Sequence, residues 1–472
     1  MIRSGVEKNM NKILKKYVGD RAFYKMVLTI VTPMVIQNAI ANFVSMLDNI
    51  MVGKMGTEQM SGVAISNQLL FIVNLCIFGA LSGVGIFTAQ FYGAKNTEGV
   101  RQTFQIKLII ITLLTILSII LFAVCGEGLI QQFLKGEGEN IDPDAIFIHG
   151  KRYLMIMLVG LLPFAWSQSI ESTMRECGQT VLPMIASIVA MLTNFVLNLI
   201  LIFGMLGAPR MGASGAAIAT VVSRVVELLM LIFFVNRRKK ELVFFQHALT
   251  RIHIPGSLLK KVIITGTPLL VNETIWSASQ AILNQIYSTK GLEVVPALNI
   301  SNTINSLFMV VYLALGSSIA IIVGQQLGNG EMDEAVDTAR KLRFFSVSVC
   351  LVIGTALAFC SPLFPRMYKT SALVRHTASQ FMIIQGLFMP LFAYEHASYF
   401  TIRSGGKTFI TFLFDSIFSC CVNIPVTYLV CTYTSLTVIP AFAVCQTVEF
   451  VKAVIGYVLI KKGIWIQNIV EN

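Results

Sequence analysis

Residues 65–93 read ISNQLLFIVNLCIFGALSGVGIFTAQFYG, and residues 300–328 read ISNTINSLFMVVYLALGSSIAIIVGQQLG. Each stretch is apolar and long enough to cross a bilayer as a helix, which needs about 20 residues. The two stretches also match each other, because both begin with Ile-Ser-Asn, and the alignment of these starts places Gln90 on Gln325 and Gly93 on Gly328. They predict membrane-spanning helices in a chain that is built from two similar halves.

The same alignment extends without a gap over residues 33–93 of the first half and 268–328 of the second. A slightly shorter shift then aligns the segment 175–180 with 403–408. Such an ordered series of matches indicates an internal repeat. In the first alignment, of residues 33–93 with 268–328, the other matching positions are Pro33 with Pro268, Asn49 with Asn284, and Gly56 with Gly291.

The composition of the whole chain is that of a polytopic membrane protein. Of the 472 residues, 55% are hydrophobic and 13% are charged, and the mean hydropathy is +0.74. Soluble domains carry about 25% charged residues, so the composition excludes a soluble enzyme. The net charge of +12 does not predict nucleic-acid binding, because the basic residues stand at the ends of apolar runs.

Apolar runs between Gly, Pro and charged residues predict twelve transmembrane helices. Segments on the same side of the membrane as the N-terminus hold or adjoin 25 Lys and Arg residues, whereas segments on the opposite side hold nine. This bias predicts a multi-pass protein of the cell membrane with both termini in the cytoplasm. The predicted helices cover about 26–52, 60–91, 103–125, 147–170, 180–204, 213–235, 262–288, 296–325, 342–361, 377–399, 409–431 and 436–460.

The repeat divides the chain into two six-helix bundles at 26–235 and 262–460. A basic segment 1–25, a linker 236–261 and a tail 461–472 are predicted to be cytoplasmic. Because both bundles start from the same side, the repeat is parallel and places a shared cavity between the halves, as in alternating-access carriers. We expect an all-α monomeric carrier in the lipid bilayer. A channel, which more often has its pore among several subunits, is the alternative.

Four groups of residues carry a resemblance to a known family. They are Asp48 to Gly56 with the pattern Asp-x-x-x-x-Gly-x-x-Gly, the helix ends 90–94 and 325–329, the segment Arg-Glu-Cys-Gly-Gln-Thr at 175–180, and Gly-Ala-Ser-Gly-Ala-Ala-Ile-Ala-Thr at 212–220. Together they make the chain, over roughly residues 25 to 460, similar to the bacterial type of the multidrug and toxic compound extrusion (MATE) family.

This resemblance implies a secondary antiporter that exports amphipathic, often cationic organic compounds in exchange for H⁺ or Na⁺. It implies no cofactor and no enzymatic activity. The alternative is a lipid-linked or polysaccharide flippase of the same superfamily, although a flippase would favour a cationic cavity over the acids present here. An intramembrane enzyme would need a catalytic pair, and the neighbours Glu395 and His396 point about 100° apart on a helix.

Asp48 is the first candidate functional residue, because a carboxylate inside a span costs about 2.5–3.5 kcal/mol on insertion scales. By position, the resemblance implies a polar cluster of Asp48 with Asn194, Asn198 and Thr220. Asn198 stands where one branch of the family has an acid. Their oxygen atoms could hold a proton or Na⁺, and no other metal site is expected. The alternative is a buried acid that only locks helices together.

The second half offers a further set of candidates for binding substrate or the coupling ion. Glu273 follows Pro268 by five residues and shares a helix face with Trp276, a pairing that suits an organic cation. Alternatively, Glu273 is a structural acid paired with Asn284 or Gln280. The acids of helices 10 and 11 complete the set, either as a proton site or with Glu395 paired to a basic residue. The set is Glu273, Trp276, Asn284, Glu395 and Asp415.

Two further charge pairs are expected to be structural. Arg224 and Glu227 are three residues apart in helix 6, and Glu449 and Lys452 have the same spacing in helix 12. This spacing places both members of a pair on one helix face. Paired charges cost less in lipid, so the spacing predicts two local ion pairs.

Overall fold

The computed structural model describes residues 16–134, 142–250, 252–291, 293–368 and 370–471. Residues 1–15 of the predicted segment 1–25 lie outside this range. The described residues form helices at all twelve predicted positions, and no strand occurs among them. Short 3₁₀ turns lie at Met205–Gly207, Val243–Phe245 and Phe364–Met367. The helices are α1 Arg21–Gly53, α2 Thr57–Gly93, α3 Thr97–Phe133, α4a Pro143–Val159, α4b Leu161–Glu176, α5 Val181–Phe203, α6 Ala213–Arg237, α7 Gly256–Ser288, α8 Val294–Gly328, α9 Met332–Cys360, α10 Ala372–Ser404, α11 Thr408–Tyr433 and α12 Val438–Lys461.

Nine of the described helices are long and apolar enough to cross a membrane, and α4a with α4b adds a tenth span. The other two, α7 and α10, have 33 residues each and exceed the length that a bilayer requires. Their mean hydropathy is lowered by polar and charged residues, which include Glu273 and Glu395. The protein is therefore a multi-pass membrane protein whose two least apolar spans carry predicted functional acids.

The fourth span is broken, which corrects the prediction of one helix over 147–170. Helices α4a and α4b meet at an angle of 48° around Gly160. Pro163 lies in the first turn of α4b, where it lacks the amide that would continue the hydrogen bonds of α4a. The hydropathy pattern runs through this point unchanged, so it does not reveal the break.

The described chain forms two compact units. The N-unit comprises residues 36–88 and 97–262, and the C-unit comprises residues 16–35, 89–96 and 263–471. Each unit has its own apolar core. The core of the N-unit includes Ile77, Leu154 and Ile202, and that of the C-unit includes Val294 and Phe381. Two short pieces of the N-terminal half thus belong to the C-unit, a grouping that hydropathy does not indicate.

The ends of α2 and α8 cross within the C-unit with their backbones in contact. A methyl group added to Gly93 would overlap the backbone carbonyl of Gln325, and one added to Gly328 would overlap that of Gln90. The contact is reciprocal because Gln90 and Gly93 are the repeat partners of Gln325 and Gly328. The glycines of this motif are therefore required by the close approach of two helices.

The C-terminal segment, predicted as a tail from residue 461, packs against the helices of the C-unit. The Trp465 side chain is 1% exposed. The Gln90 side-chain amide donates to the carbonyls of Ser404 and Gln467 at 2.9 and 3.2 Å, and its oxygen accepts from the Ile469 amide at 2.8 Å. One buried glutamine thus ties the end of α2 to the segment that follows α12.

Candidate functional site

The predicted N-half cluster is assembled inside the N-unit. Asp48 lies in α1, Asn194 and Asn198 lie one turn apart in α5, and Thr220 lies in the first turns of α6. The Asn198 amide donates to Asp48 Oδ1 at 2.6 Å. Both asparagines are buried, whereas Asp48 is half-buried. The structure therefore brings together the four residues that the resemblance implies.

Asn194 stands between Asp48 and Thr220 in either orientation of its amide. With its nitrogen toward Asp48, it donates to Oδ1 and Oδ2 at 3.3 and 3.2 Å and accepts from the Thr220 hydroxyl at 3.3 Å. In the other orientation its nitrogen faces Thr220 and its oxygen accepts from Asn198 at 3.1 Å. The cluster therefore links α1, α5 and α6 through side-chain hydrogen bonds in both cases.

The Asn198 side-chain oxygen is buried and has no hydrogen-bond partner among the described residues. Buried polar atoms are rarely left unpaired, so this oxygen can accept a further hydrogen bond. A role of the cluster in ion coupling stays a prediction.

Four of the five predicted C-half residues line one cavity of the C-unit. The cavity has a volume of about 320 Å³. Its lining contains Trp276, Asn284, Glu395 and Asp415, but Glu273 is not part of it. Glu273 also makes no hydrogen bond with Asn284 or Gln280 among the described contacts, so that local pairing is wrong.

Asp415 is held at the cavity wall by two partners from distant parts of the chain. Lys452 Nζ lies 2.9 Å from its Oδ1, and the Asn272 amide donates to its Oδ2 at 3.1 Å. The Ser416 hydroxyl in turn donates to Asn272 Oδ1 at 2.7 Å. The backbone at 413–417 forms a π-helical turn, a feature that is frequent at functional sites. The acid is therefore fixed in position.

Glu395 is buried with only 3% of its surface exposed, and its Oε1 has no hydrogen-bond partner among the described residues. It makes no ion pair with a basic residue of the described chain, so the predicted alternative for Glu395 is wrong. Its neighbour His396 faces the Tyr312 ring at 4.8 Å and contacts the Phe392 carbonyl at 3.0 Å through Nδ1.

Within the described helices, the two predicted local ion pairs are not formed. Lys452 pairs with Asp415, and Glu449 accepts from the Asn423 amide at 2.8 Å. In α6, the Arg224 guanidinium lies over the Phe164 ring at 4.6 Å. Helical spacing places two charges on one face, but partners on neighbouring helices compete for them.

The MatE family model matches residues 33–200 and 268–429, which together exceed half of the chain. The chain belongs to the MatE family. The two matched segments begin at Pro33 and Pro268, which are repeat partners, so the family model identifies the same two halves as the internal repeat. This confirms the predicted family and the predicted twelve-helix architecture of this MatE protein.

This MatE protein resembles curated and solved relatives along nearly its full length. It is 24% identical over 419 residues to "Probable multidrug resistance protein NorM" of Thermotoga maritima, covering 89% of this chain and 88% of the relative. It is 24% identical over 417 residues to "Probable multidrug resistance protein YoeA" of Bacillus subtilis, covering 86% and 87%.

Two solved structures show the fold that this MatE protein shares. An outward-facing multidrug resistance MATE family transporter of the MOP superfamily superposes with a TM-score of 0.85 at 18% identity, covering 96% of this chain and 97% of the other. The Vibrio cholerae MATE transporter VcmN gives 0.84 at 16% identity, covering 95% and 98%. At such identities the likeness establishes architecture alone.

Several buried polar residues of this MatE protein were not predicted from the sequence as functional. Lys452 and Asn272 fix Asp415, and Glu171 lies in the interior of the N-unit with 0% exposure. Each has at least one partner 16 or more residues away along the chain. The only signal in the sequence is the presence of a polar side chain within an apolar run.

Proposed function

We propose that this protein is a multidrug efflux antiporter, which exports amphipathic, often cationic compounds in exchange for an inward flow of H⁺. The observation that carries the proposal is the cluster around Asp48, a half-buried carboxylate that links α1 to α5 and α6. The names of the relatives that match most of the chain support multidrug efflux.

The donors around Asp48 favour H⁺ over Na⁺ as the coupling ion. The Asn198 nitrogen, not its oxygen, faces the carboxylate. Na⁺ would require amide oxygens to turn toward it, because it is bound by hard oxygen ligands. A proton needs no such turn, since it binds the carboxylate directly and weakens the hydrogen bonds that hold α1 to α5. Release of α1 would then couple protonation to alternating access.

The cavity of the C-unit supports a cationic substrate. Its lining has three carboxyl groups, those of Glu395, Asp415 and Glu449, against the single ammonium of Lys452. It also presents the aromatic rings of Trp276, Tyr287, Tyr312, Phe392 and Phe442. Negative charge beside aromatic rings attracts organic cations, and about 300–1,000 Å³ is the usual range for ligand pockets.

The test is transport of a fluorescent organic cation in proteoliposomes under separate H⁺ and Na⁺ gradients. Wild type is compared with Asp48→Asn at equal reconstitution, and Asp333→Asn serves as a matched control because Asp333 is exposed in the first turn of α9. We expect the H⁺ gradient to drive transport, Asp48→Asn to abolish it, and Asp333→Asn to leave it unchanged.

Other outcomes separate the alternatives. If only the Na⁺ gradient drives transport, the protein is still an antiporter, but its coupling ion is Na⁺ and not H⁺. If an ion gradient still drives transport in the Asp48→Asn variant, the coupling site lies among the acids of the C-unit and not at Asp48. If neither gradient moves a cation while a labelled lipid crosses the bilayer, the flippase is correct.

A further inference from the structure

A second, larger cavity of the C-unit combines basic and apolar walls. Its volume is about 570 Å³, and it lies between the start of α9, the end of α12 and residues 16–17. The charged residues of its described lining are Lys16, Arg340, Arg343 and Lys461, and that lining contains no Asp or Glu. The cavity therefore has four cationic groups and no acid of its own.

Arg343 has a buried hydrogen-bond donor, Nη1, that lacks an acceptor among the described residues. Arg340, one turn earlier, already contacts Asp337 at 3.3 Å, and Lys341 also pairs with Asp337 at 2.6 Å. A buried guanidinium nitrogen without an acceptor is costly, and an anion in the cavity would satisfy it.

The apolar part of the lining suits a hydrocarbon chain. Phe344 is 45% exposed and packs against Tyr17 with ring centroids 5.8 Å apart and ring planes tilted by 51°, and Tyr457 is 55% exposed. Leu351, seven residues after Phe344 on the same face of α9, is 57% exposed. The apolar wall therefore continues along α9 onto the surface that faces lipid in a membrane-spanning helix.

We propose that this cavity binds one anionic phospholipid of the cytoplasmic leaflet. The phosphate contacts Arg343 and the neighbouring Lys461, and an acyl chain follows Phe344 and Leu351 along α9. The orientation predicted from the basic residues places the start of α9 and the end of α12 at this leaflet. Anionic headgroups are abundant there and are attracted to basic clusters.

The experiment measures lipid binding to the purified full-length protein in detergent by native mass spectrometry. Dioleoyl phosphatidylglycerol is titrated against dioleoyl phosphatidylcholine, which has the same chains but no net charge. Arg343→Gln removes the unpaired donor, and Val347→Trp fills the cavity with the basic residues intact. Arg237→Gln is the matched control, because Arg237 is exposed in the N-unit at the end of α6.

We expect phosphatidylglycerol to bind at least tenfold more tightly than phosphatidylcholine. Arg343→Gln is expected to weaken it about tenfold, since a charge-assisted hydrogen bond contributes roughly that factor. Val347→Trp is expected to abolish this binding, and Arg237→Gln to leave it unchanged. The measurement does not involve transport, so it is independent of the proposed function.

Three results would overturn the proposal. Equal binding of the two lipids would show that the cavity does not select charge. An equal loss in Arg237→Gln and Arg343→Gln would assign binding to the general basic surface. Displacement of the lipid by millimolar inorganic phosphate would show that the cavity takes a free anion and does not need an acyl chain.

Discussion

Glu171 and Glu227 approach the same hydroxyl group in the interior of the N-unit. Ser187 Oγ lies 2.9 Å from Glu171 Oε1 and 2.6 Å from Glu227 Oε1, and it also accepts from the Gln37 amide at 2.7 Å. A hydroxyl has one proton to donate. The second carboxyl must therefore donate to Ser187, so this cluster holds one proton in addition to that of the serine.

Glu171 also pairs with Arg175, whose Nη1 lies 3.6 Å from Glu171 Oε2, so Glu227 is the carboxyl that donates to Ser187. We therefore expect Glu227→Gln to be tolerated, because a glutamine amide can donate to Ser187 as the protonated carboxyl does. We expect the free energy of unfolding to change by less than about 1 kcal/mol, against a loss of about 1–3 kcal/mol for Glu227→Ala, which leaves buried polar groups unpaired. Unfolding in a denaturing detergent measures both. Equal losses for the two variants would show that the cluster holds no such proton.

Asp415 and Lys452 form an ion pair, so we expect substitutions of the two residues to have non-additive effects on the free energy of unfolding. Their side chains are 16% and 10% exposed, so removal of one leaves the other as a buried charge without its partner. We expect Lys452→Met alone to cost about 3 kcal/mol in the free energy of unfolding, and Asp415→Leu with Lys452→Met to recover most of it. A double-mutant cycle in denaturing detergent checks this, and simple additivity of the two losses would contradict the ion pair.

The crossing of α2 and α8 predicts that Gly93→Ala and Gly328→Ala each prevent the native fold, because the new methyl group would overlap a backbone carbonyl. We expect little monodisperse protein from either variant by size-exclusion chromatography. Gly128→Ala is the control. No heavy atom lies within 4 Å of a methyl group added there, and alanine favours a helix by up to about 1 kcal/mol. Normal yields from the first two variants would refute the contact.

Gln90 predicts a local effect on the C-terminal segment. Gln90→Leu keeps the size of the side chain but removes its three hydrogen bonds to Ser404, Gln467 and Ile469. We expect hydrogen exchange at residues 464–471 to rise by tenfold or more, since the loss of one such bond costs about 1 kcal/mol and several are lost together. Exchange elsewhere serves as the internal reference. Unchanged protection of Ile469 would mean that Gln90 does not hold the segment.

The apolar runs were sufficient to predict the helices, whereas the cluster around Asp48 was implied by the family resemblance. Apolar runs predict spans because a membrane requires about 20 such residues, and the asparagines one turn apart in α5 share a face. The break at Gly160 was missed, since proline in a first turn is compatible with an unbroken apolar run.

Long-range pairing could not be predicted from a single sequence. Arg224 and Glu227 have the spacing of a local pair, yet Arg224 stacks on Phe164 and Glu227 contacts Ser187, 40 residues away. Glu449 and Lys452 are separated in the same way, because Asp415 and Asn423 lie closer to them. Which helix supplies a partner depends on packing, which hydropathy and spacing do not specify.

The contact between Gly93 and Gln325, and its counterpart between Gly328 and Gln90, bears on how a duplicated gene can diverge. Each copy of the ancestral segment supplies one glycine and the carbonyl that the glycine of the other copy must accommodate. A half-length ancestor could make the same contact with a second copy of itself. After fusion, a larger side chain at either glycine would overlap the backbone of the other copy, so this contact requires a glycine in both copies.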